Sequence, residues 1–210
     1  MRRNLALMLL LSIVVLTGAC GSKEEAAAPE PAPAPAPEVV EEVAPTVAVA
    51  VLQPRADSQL SGMLRFTETA DGVSVTAEIA GIAPGLHGLH LHELGDCSSD
   101  DFKSTGGHFN PTEAPHGAPT DEMRHAGDFG NIEIGEDGAG HLELTTTMLT
   151  IADGPHTVVG RAVILHEGED DLESQPTGAA GGRIGCGVVM LEGAAMEETA
   201  EAMEGSEVDG

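Results

Sequence analysis

The chain has 210 residues, a length typical of one domain with additional terminal segments. Its formal net charge of −26 argues against nucleic acid as a partner, because phosphates require a basic face, and against electrostatic attachment to anionic lipid. The 41% hydrophobic content can build a core, and 27 glycines indicate many turns, as an all-β protein needs.

The first 19 residues have the features of an export signal. Two arginines precede an apolar run, residues 5–16, that is too short to span a membrane comfortably. Residues 16–20, LTGAC, then resemble a bacterial lipobox, in which Cys20 would be lipidated and become the N-terminus. Thr17 stands where Leu is usual, so ordinary signal-peptidase cleavage remains an alternative. Cleavage before Cys20 would change the formal net charge from −26 to −28, because both arginines are lost.

Low-complexity segments flank a central domain, predicted to span residues 46–192. Residues 20–45, rich in Pro, Ala and Glu, predict an extended tether that would hold the domain away from a membrane. Residues 193–210 predict a solvated acidic tail and allow a short fraying helix over residues 194–203. These features predict an exported protein of the cell envelope or periplasm, attached to a membrane only through its N-terminal lipid. Ser22 favours the outer membrane if the host has two membranes.

Two cysteines remain once Cys20 is used for lipid. Cys97 and Cys186 could form a disulfide, which persists in an exported protein and would join residues 89 apart. In the chain-entropy model a loop of that length contributes about 4–5 kcal/mol, less any strain. The alternative is a pair of free buried thiols.

Short runs of β-forming residues, separated by turn formers, dominate the central domain. Eight strands are predicted, over residues 46–52, 59–67, 73–80, 88–93, 130–134, 141–147, 158–166 and 184–191. Eight short strands favour an antiparallel sandwich or barrel. Two long polar loops, residues 94–128 and 167–182, interrupt them, and structureless loops of that length are usually functional.

Six of the nine histidines and one aspartate form a pattern suited to metal ions. His90 and His92 lie two apart on a predicted strand, so both side chains face the same way and can meet one ion. His108 lies in a glycine-rich turn, where the backbone can approach closely. Neutral imidazole binds copper and zinc, and carboxylate widens the choice. The candidate ligands are His90, His92, His108, His116, His125, Asp128 and His166.

Each of these signals has a structural alternative when taken alone. A surface strand can carry two histidines by chance, and a histidine at the end of an apolar strand, such as His166, is usually a hydrogen-bonded core residue. His116, His125 and Asp128 lie on a loop without an apolar core of its own, which needs a metal or a disulfide to order it.

Six short segments closely match one known family. They are residues 85–93 (GLHGLHLHE), 107–111 (GHFNP), 124–128 (RHAGD), 160–161 (GR), 166–167 (HE) and 182–187 (GRIGCG). Through them, residues 85–188 resemble copper/zinc superoxide dismutase, and the short loop 171–182 resembles its exported bacterial branch. The resemblance implies an eight-stranded antiparallel Greek-key barrel or sandwich, dismutation of superoxide, and one copper and one zinc ion per subunit, in a monomer or homodimer.

The resemblance also implies a role for each matched position. Copper would be held by His90, His92, His108 and His166. Zinc would be held by His108, His116, His125 and Asp128, so that His108 bridges the two metals as an imidazolate. Arg183 would dock the anionic superoxide, and Arg183 and His108 would be the catalytic residues.

Further positions would support the metals from outside. Asp170 would accept hydrogen bonds from the far nitrogens of His90 and His116, which sets the nitrogen that is free to bind metal. His87 would be a hydrogen-bonded packing residue beside the site. Cys97 and Cys186 would form the family disulfide. The two other histidines, His141 and His156, are predicted to have no metal role.

The strong negative charge opposes an anionic substrate. The loop 170–182 contains no lysine, and Asp171 and Glu173 add negative charge to it. Because salt screens charge over about 8–10 Å, we predict weak steering and a capture rate that rises with salt. The alternative function is a copper- and zinc-binding envelope lipoprotein without catalysis, although Arg183 and a bridging His108 would serve turnover rather than storage.

Overall fold

Ten strands, a short 3-10 helix, Lys103–Thr105, and helical residues 192–194 form the regular structure of residues 46–56 and 58–194, the part of the chain that a computed structural model describes. The strands are β1 Val47–Val51, β2 Gln53–Pro54, β3 Ser61–Thr69, β4 Gly72–Ala80, β5 Gly85–His92, β6 Asp128–Ile134, β7 Ala139–Thr146, β8 Ala162–His166, β9 Arg183–Val188 and β10 Met190–Leu191. The predicted signal, Cys20 and tether lie outside these residues, as does the predicted tail helix apart from Ala194. No helix among them is long and apolar enough to cross a membrane.

Two antiparallel five-stranded sheets face each other, in the orders β10-β1-β3-β4-β7 and β2-β9-β8-β5-β6. Residues of β4 alternate between buried and less buried, with Val73, Val75, Ala77 and Ile79 inside, as expected for a strand with one face on a core. Phe66 and Phe129 meet in the core with ring centroids 6.3 Å apart. The predicted antiparallel Greek-key fold is confirmed as a sandwich, because the sheets do not close into a barrel.

The eight predicted strands become ten because the chain changes sheet at two places. β1 and β2 flank Leu52, and β9 and β10 flank Val189; both residues are buried between the sheets. The single strand predicted over residues 184–191 is therefore wrong, because its two ends pair in different sheets.

The strand predicted over residues 158–166 begins four residues later in the structure, at Ala162. Gly160 has a φ of 78° and Arg161 N donates to Val158 O at 3.2 Å, so this segment is a turn although Val158 is fully buried. β8 therefore covers only Ala162–His166, which places His166 at the end of a central strand.

Two long connections carry most of the remaining candidate residues. One lies between β5 and β6, and the other lies between β8 and β9. The first follows β5 and is fixed to that strand by backbone hydrogen bonds, with Phe109 N donating to Leu91 O and Leu91 N to Gly127 O. The predicted disulfide is confirmed: Cys97 in this connection is bonded to Cys186 of β9, with Cα atoms 5.9 Å apart.

Candidate metal centre

Four histidines from three parts of the fold converge on one point. His90 and His92 lie on β5, and His166 ends the neighbouring β8. His108 lies in the first connection, where its backbone forms an isolated β-bridge with that of His92. One nitrogen of each lies within 4.8 Å of the others, and all four side chains are buried.

The nitrogens at this point have no hydrogen-bond partner among the described residues. They are His90 Nδ1, His92 Nε2, His108 Nε2 and His166 Nε2. Buried polar atoms are almost always satisfied, so a cluster of four unsatisfied nitrogens indicates a ligand.

For three of these four histidines, the contact of the opposite ring nitrogen explains why the inner nitrogen is free. His90 Nε2 lies 2.7 Å from Asp170 Oδ2, His92 Nδ1 lies 3.1 Å from Gly106 O, and His166 Nδ1 lies 3.4 Å from Gly181 O. Each of these nitrogens must carry the proton, because it faces an oxygen acceptor. The lone pairs of His90, His92 and His166 therefore point inward, as metal ligands require.

Burial keeps these imidazoles neutral. It lowers the pKa of His108 to about 4 and that of His166 to about 3, and it also lowers the pKa of His90 and of His92. Neutral imidazole is the form that binds metal, so the first group is in its ligating state at neutral pH.

A second group surrounds one oxygen of Asp128. Asp128 Oδ1 lies 2.8 Å from His108 Nδ1 and 3.1 Å from both His116 Nδ1 and His125 Nδ1. The other oxygen, Oδ2, accepts the backbone N–H groups of Gly117 and His125 at 3.2 and 3.0 Å. In a tetrahedral zinc site, ligand atoms are about 3.3 Å apart, and the three distances from Asp128 Oδ1 are near that value.

Protons compete with metal at this second group. Burial opposes the charge on His116, but its contacts with Asp128 and Asp170 outweigh burial and raise its pKa to about 9. Burial likewise opposes the charge on Asp128, yet its histidine neighbours hold its pKa far below the usual range. An ion that binds His116 at neutral pH must therefore displace a proton.

His108 belongs to both groups. Its Nε2 faces the first group and its Nδ1 faces Asp128, so one imidazole connects two sites that differ in composition. The first group offers four nitrogens, whereas the second offers three nitrogens and one carboxylate oxygen.

Asp170 links the two groups from the outside. It is 1% exposed, and its Oδ2 lies 2.7 Å from His90 Nε2 while its Oδ1 lies 3.0 Å from His116 Nε2. Its backbone is held by Asn131, a residue that the sequence did not single out. One carboxylate therefore fixes the ring orientation of a ligand in each group.

A cavity of about 290 Å³ opens onto the first group. Its lining includes His92, His108, His166 and three cationic side chains, Arg55, Lys103 and Arg183. A larger cleft of about 490 Å³, between residues 54–56 and 97–102, contains none of the candidate ligands. Of these two, the smaller cavity gives access to the first group, because three of its ligands line it.

Arg183 is fixed at this cavity by the first connection. Its Nη1 donates to Phe102 O and Thr105 Oγ1, each at 2.7 Å, and its Nη2 donates to Gly106 O at 2.8 Å. Guanidinium has five N–H donors, so these contacts leave two of them without a partner among the described residues.

A family model for copper/zinc superoxide dismutase matches residues 60–189, more than half of the chain. The chain belongs to the copper/zinc superoxide dismutase family. It is also similar to a solved structure, the clock protein EA4, with 41% sequence identity, a TM-score of 0.64, and coverage of 71% of this chain and 96% of that chain. The family match begins at residue 60, so it includes β3 and β4, which precede the segments that first indicated the dismutase family.

Three histidines of this superoxide dismutase family member lie outside both ligand groups. His87 is buried, and its Nδ1 lies 2.9 Å from His166 O, directly behind a candidate ligand. His141 is exposed on β7 and contacts Glu78 on β4 at 2.7 Å. His156 lies 3.0 Å from Met148 O in a turn.

Four residues beside the candidate metal centre carried no signal in the sequence. Asn131 and Gln175 hold the backbones of Asp170 and His116, while Arg55 and Lys103 line the cavity. Their residue types are common in loops, and their partners lie far away along the chain. Only the folded arrangement identifies them.

Proposed function

We propose that the protein is a superoxide dismutase that converts two superoxide anions and two protons into oxygen and hydrogen peroxide. The observation that carries the proposal is the position of His108, whose two nitrogens face two separate ligand groups. A store for a single metal does not need such a shared ligand.

The two groups would take different metals. His90, His92, His108 and His166 would hold copper, because an all-imidazole set suits that ion. His108, His116, His125 and Asp128 would hold zinc, which favours a tetrahedral set of nitrogen and carboxylate ligands. Copper, when bound, would accept one electron and return it, whereas zinc has no redox chemistry.

Arg183 would dock the substrate. Its guanidinium lines the cavity beside His92, His108 and His166, and three of its five N–H groups are held by protein oxygens. The other two donors can bind an anion of superoxide size. Because the side chain is already fixed, docking would require little reordering of the arginine.

His108 would supply a proton for peroxide formation. His108 lines the cavity, its Nε2 faces the first ligand group, and its Nδ1 is directed at Asp128. The ring can therefore hold a proton at Nε2 and donate it to the reduced substrate while its other side keeps the imidazole in place. Asp170 would keep the rings of His90 and His116 from turning, because each ring is hydrogen-bonded to it.

Metal binding without catalysis is the second candidate. It is favoured by one observation: a similar solved structure, at 41% identity, is described as a clock protein. The two candidates predict the same ligands, so metal content alone cannot separate them.

Inhibition of superoxide-driven dye reduction by the full chain, loaded with copper and zinc, tests the proposal. We expect activity that is lost without copper and falls roughly 10- to 100-fold in Arg183→Ala, the effect of losing a hydrogen bond from a charged donor. His108→Ala should reduce it at least as much. His141→Ala is the matched control, because this exposed histidine is outside both groups. Metal-loaded protein without activity would favour the second candidate, and full activity in Arg183→Ala would exclude the docking role.

The envelope location is a proposal that rests on the N-terminal sequence alone. Cys20 would carry the lipid, and residues 20–45 would act as the tether. The full chain should partition into a detergent phase when expressed in bacteria, and Cys20→Ala should move it to the aqueous phase. Detergent partitioning that is unchanged in Cys20→Ala would contradict lipidation.

A further inference from the structure

The side-chain amide of Gln175 holds the backbone of His116 at both of its polar atoms. His116 N donates to Gln175 Oε1 at 2.8 Å, and Gln175 Nε2 donates to His116 O at 2.9 Å. These two residues are 59 positions apart and belong to different connections of the sandwich. The pair of bonds resembles one rung of a β-ladder, with a side chain in place of the second strand.

His116 is not held in a strand, unlike four of the other candidate ligands. His90, His92 and His166 lie on strands, and Asp128 begins one, but His116 lies in a segment without regular structure. Gln175 is the only hydrogen-bond partner of His116 N and O among the described residues. The direction of the His116 ring is therefore set by its side-chain contacts and by this amide.

The loop around Gln175 is built to present the amide. Asp171 accepts hydrogen bonds from the backbone N–H groups of Glu173 and Ser174 at 3.0 and 2.8 Å, which forms a tight turn. Gln175 Nε2 also donates to Glu173 O at 3.1 Å, so the side chain is held within its own loop. Its amide is positioned before it meets His116.

The same loop closes over the outer side of the His116 ring. Gly178 has a φ of 66°, and a Cβ atom there would overlap Asp170 Oδ1 and lie 2.6 Å from His116 Nε2. Leu172 N donates to Asp170 Oδ1 at 2.7 Å. The loop that carries Gln175 therefore contacts His116 at its backbone and at its ring.

We propose that Gln175 is a positioning residue for the zinc ligand His116: its amide fixes the His116 backbone so that Nδ1 points to the centre shared with His108, His125 and Asp128. This inference rests on the proposed zinc site. The loop 167–182 would then have a function in retaining metal, in addition to its position beside the cavity.

The test compares three variants of the full chain, each loaded with zinc or with cobalt(II) as a coloured substitute. Gln175→Met keeps the side-chain size and removes both hydrogen bonds. Gln175→Glu keeps the acceptor for His116 N and removes the donor to His116 O. Glu173→Gln is the matched control, because it changes an exposed neighbouring side chain without a hydrogen bond to His116.

We expect Gln175→Met to release zinc to a chelator roughly 10-fold faster than the parent protein, in the range found for residues that support metal ligands. Its cobalt(II) visible spectrum should change, since the ligand geometry changes. The zinc release rate of Gln175→Glu should lie between those of Gln175→Met and the parent, and the release rate of Glu173→Gln should equal that of the parent. In the metal-free protein, hydrogen exchange at the His116 amide should accelerate in Gln175→Met.

Equal release rates and equal cobalt spectra in Gln175→Met and the parent would overturn the positioning role. Failure of the parent protein to bind zinc or cobalt would instead overturn the proposed zinc site, and the inference with it. Because Gln175 is exposed, its replacement leaves the core unchanged, and hydrogen exchange under native conditions detects a loosened His116 without any metal.

Discussion

Asp170 and Asn131 hold each other through two reciprocal hydrogen bonds. Asp170 N donates to Asn131 Oδ1 at 2.8 Å, and Asn131 Nδ2 donates to Asp170 O at 2.8 Å. Asn131 lies on β6, so a strand of the sandwich fixes the backbone of the carboxylate that contacts both ligand groups.

Asn131→Ala should therefore weaken metal binding, although the Asn131 side chain is hydrogen-bonded to Asp170 and not to a candidate ligand. Two backbone groups of the buried Asp170 would lose their partners, at a cost of about 1–3 kcal/mol in the free energy of unfolding. We expect zinc affinity to fall about 10-fold as well, because Asp170 orients His90 and His116. Urea unfolding and chelator competition measure the two effects. Unfolding data that change without any change in affinity would show that Asn131 serves the fold alone.

The charges at the cavity mouth should control the rate of superoxide capture. Lys103 Nζ lies 2.7 Å from Asp101 Oδ2, so an acid partly offsets one of the three cations. Asp101→Asn should raise the rate and Lys103→Gln should lower it, each by about 1.5- to 5-fold, the effect of one exposed charge pair. Arg55→Gln should act in the same direction as Lys103→Gln. Stopped-flow measurement of superoxide decay gives these rates.

The dependence of the capture rate on salt distinguishes the effect of the cations at the cavity mouth from the effect of the net charge. The acidic chain predicts a capture rate that rises with salt, whereas the mouth cations favour a rate that falls. Lys103→Gln should make the slope of rate against ionic strength more positive than in the parent, because only the attractive part is removed. A steep fall with salt in the parent would reject weak steering, and identical slopes would remove Lys103 from the capture route.

Removal of the disulfide should affect both stability and substrate docking. The bond closes a loop that contributes about 4–5 kcal/mol in the chain-entropy model, so Cys97→Ala with Cys186→Ala should lower the free energy of unfolding by up to that amount. It also fixes the connection whose carbonyls hold Arg183. Activity of the folded double variant should therefore fall more than its metal content. Equal losses of activity and metal would contradict the link to Arg183.

The metal-free protein should be most stable near pH 6.5. The pKa of His108 is lowered from 6.5 to about 4 and that of His166 to about 3. Between these lowered values and pH 6.5 the unfolded chain binds more protons than the folded protein, so the free energy of unfolding rises with pH. The pKa of His116 is raised from 6.5 to about 9, so its contribution is fully present below pH 6.5 and is lost as pH rises through 9. Urea unfolding between pH 4 and pH 9 measures both slopes.

His116→Asn isolates the alkaline part of that profile. The variant should lose the decline between pH 6.5 and pH 9 and keep the rise below pH 6.5, since His108 and His166 are unchanged. An alkaline decline that persists in this variant would assign it to another group.

The strand pattern of the sequence predicted most of the sandwich, and it failed where the chain changes direction inside an apolar run. Val158 and Val189 are fully buried, yet neither is in a strand, because burial of a residue does not determine which sheet its neighbours join. Gly160 could have indicated the turn before β8, since glycine readily adopts the left-handed conformation that this residue has. Pairing between distant strands decided the rest.

The resemblance to the dismutase family assigned the candidate ligands to two sets that share His108. The structure brings the same side chains together in two sets, while metal binding itself remains a prediction. The sequence could not find Gln175 or Asn131, because an amide that binds a distant backbone has no local pattern. It also missed the cations Arg55 and Lys103, whose value depends only on lying at one cavity.

The sequence by itself therefore determined the β class, the family and the identity of the candidate ligands, since alternating apolar residues and closely spaced histidines are local properties of the chain. The tertiary structure alone decided which ring nitrogens face inward, which amides hold the ligand backbones and which charges surround the cavity. These features depend on residues 39 to 128 positions apart, such as Asp170 bonded to Asn131, or Arg55 and Arg183 in the lining of one cavity. Such residues come together only after the sheets have formed.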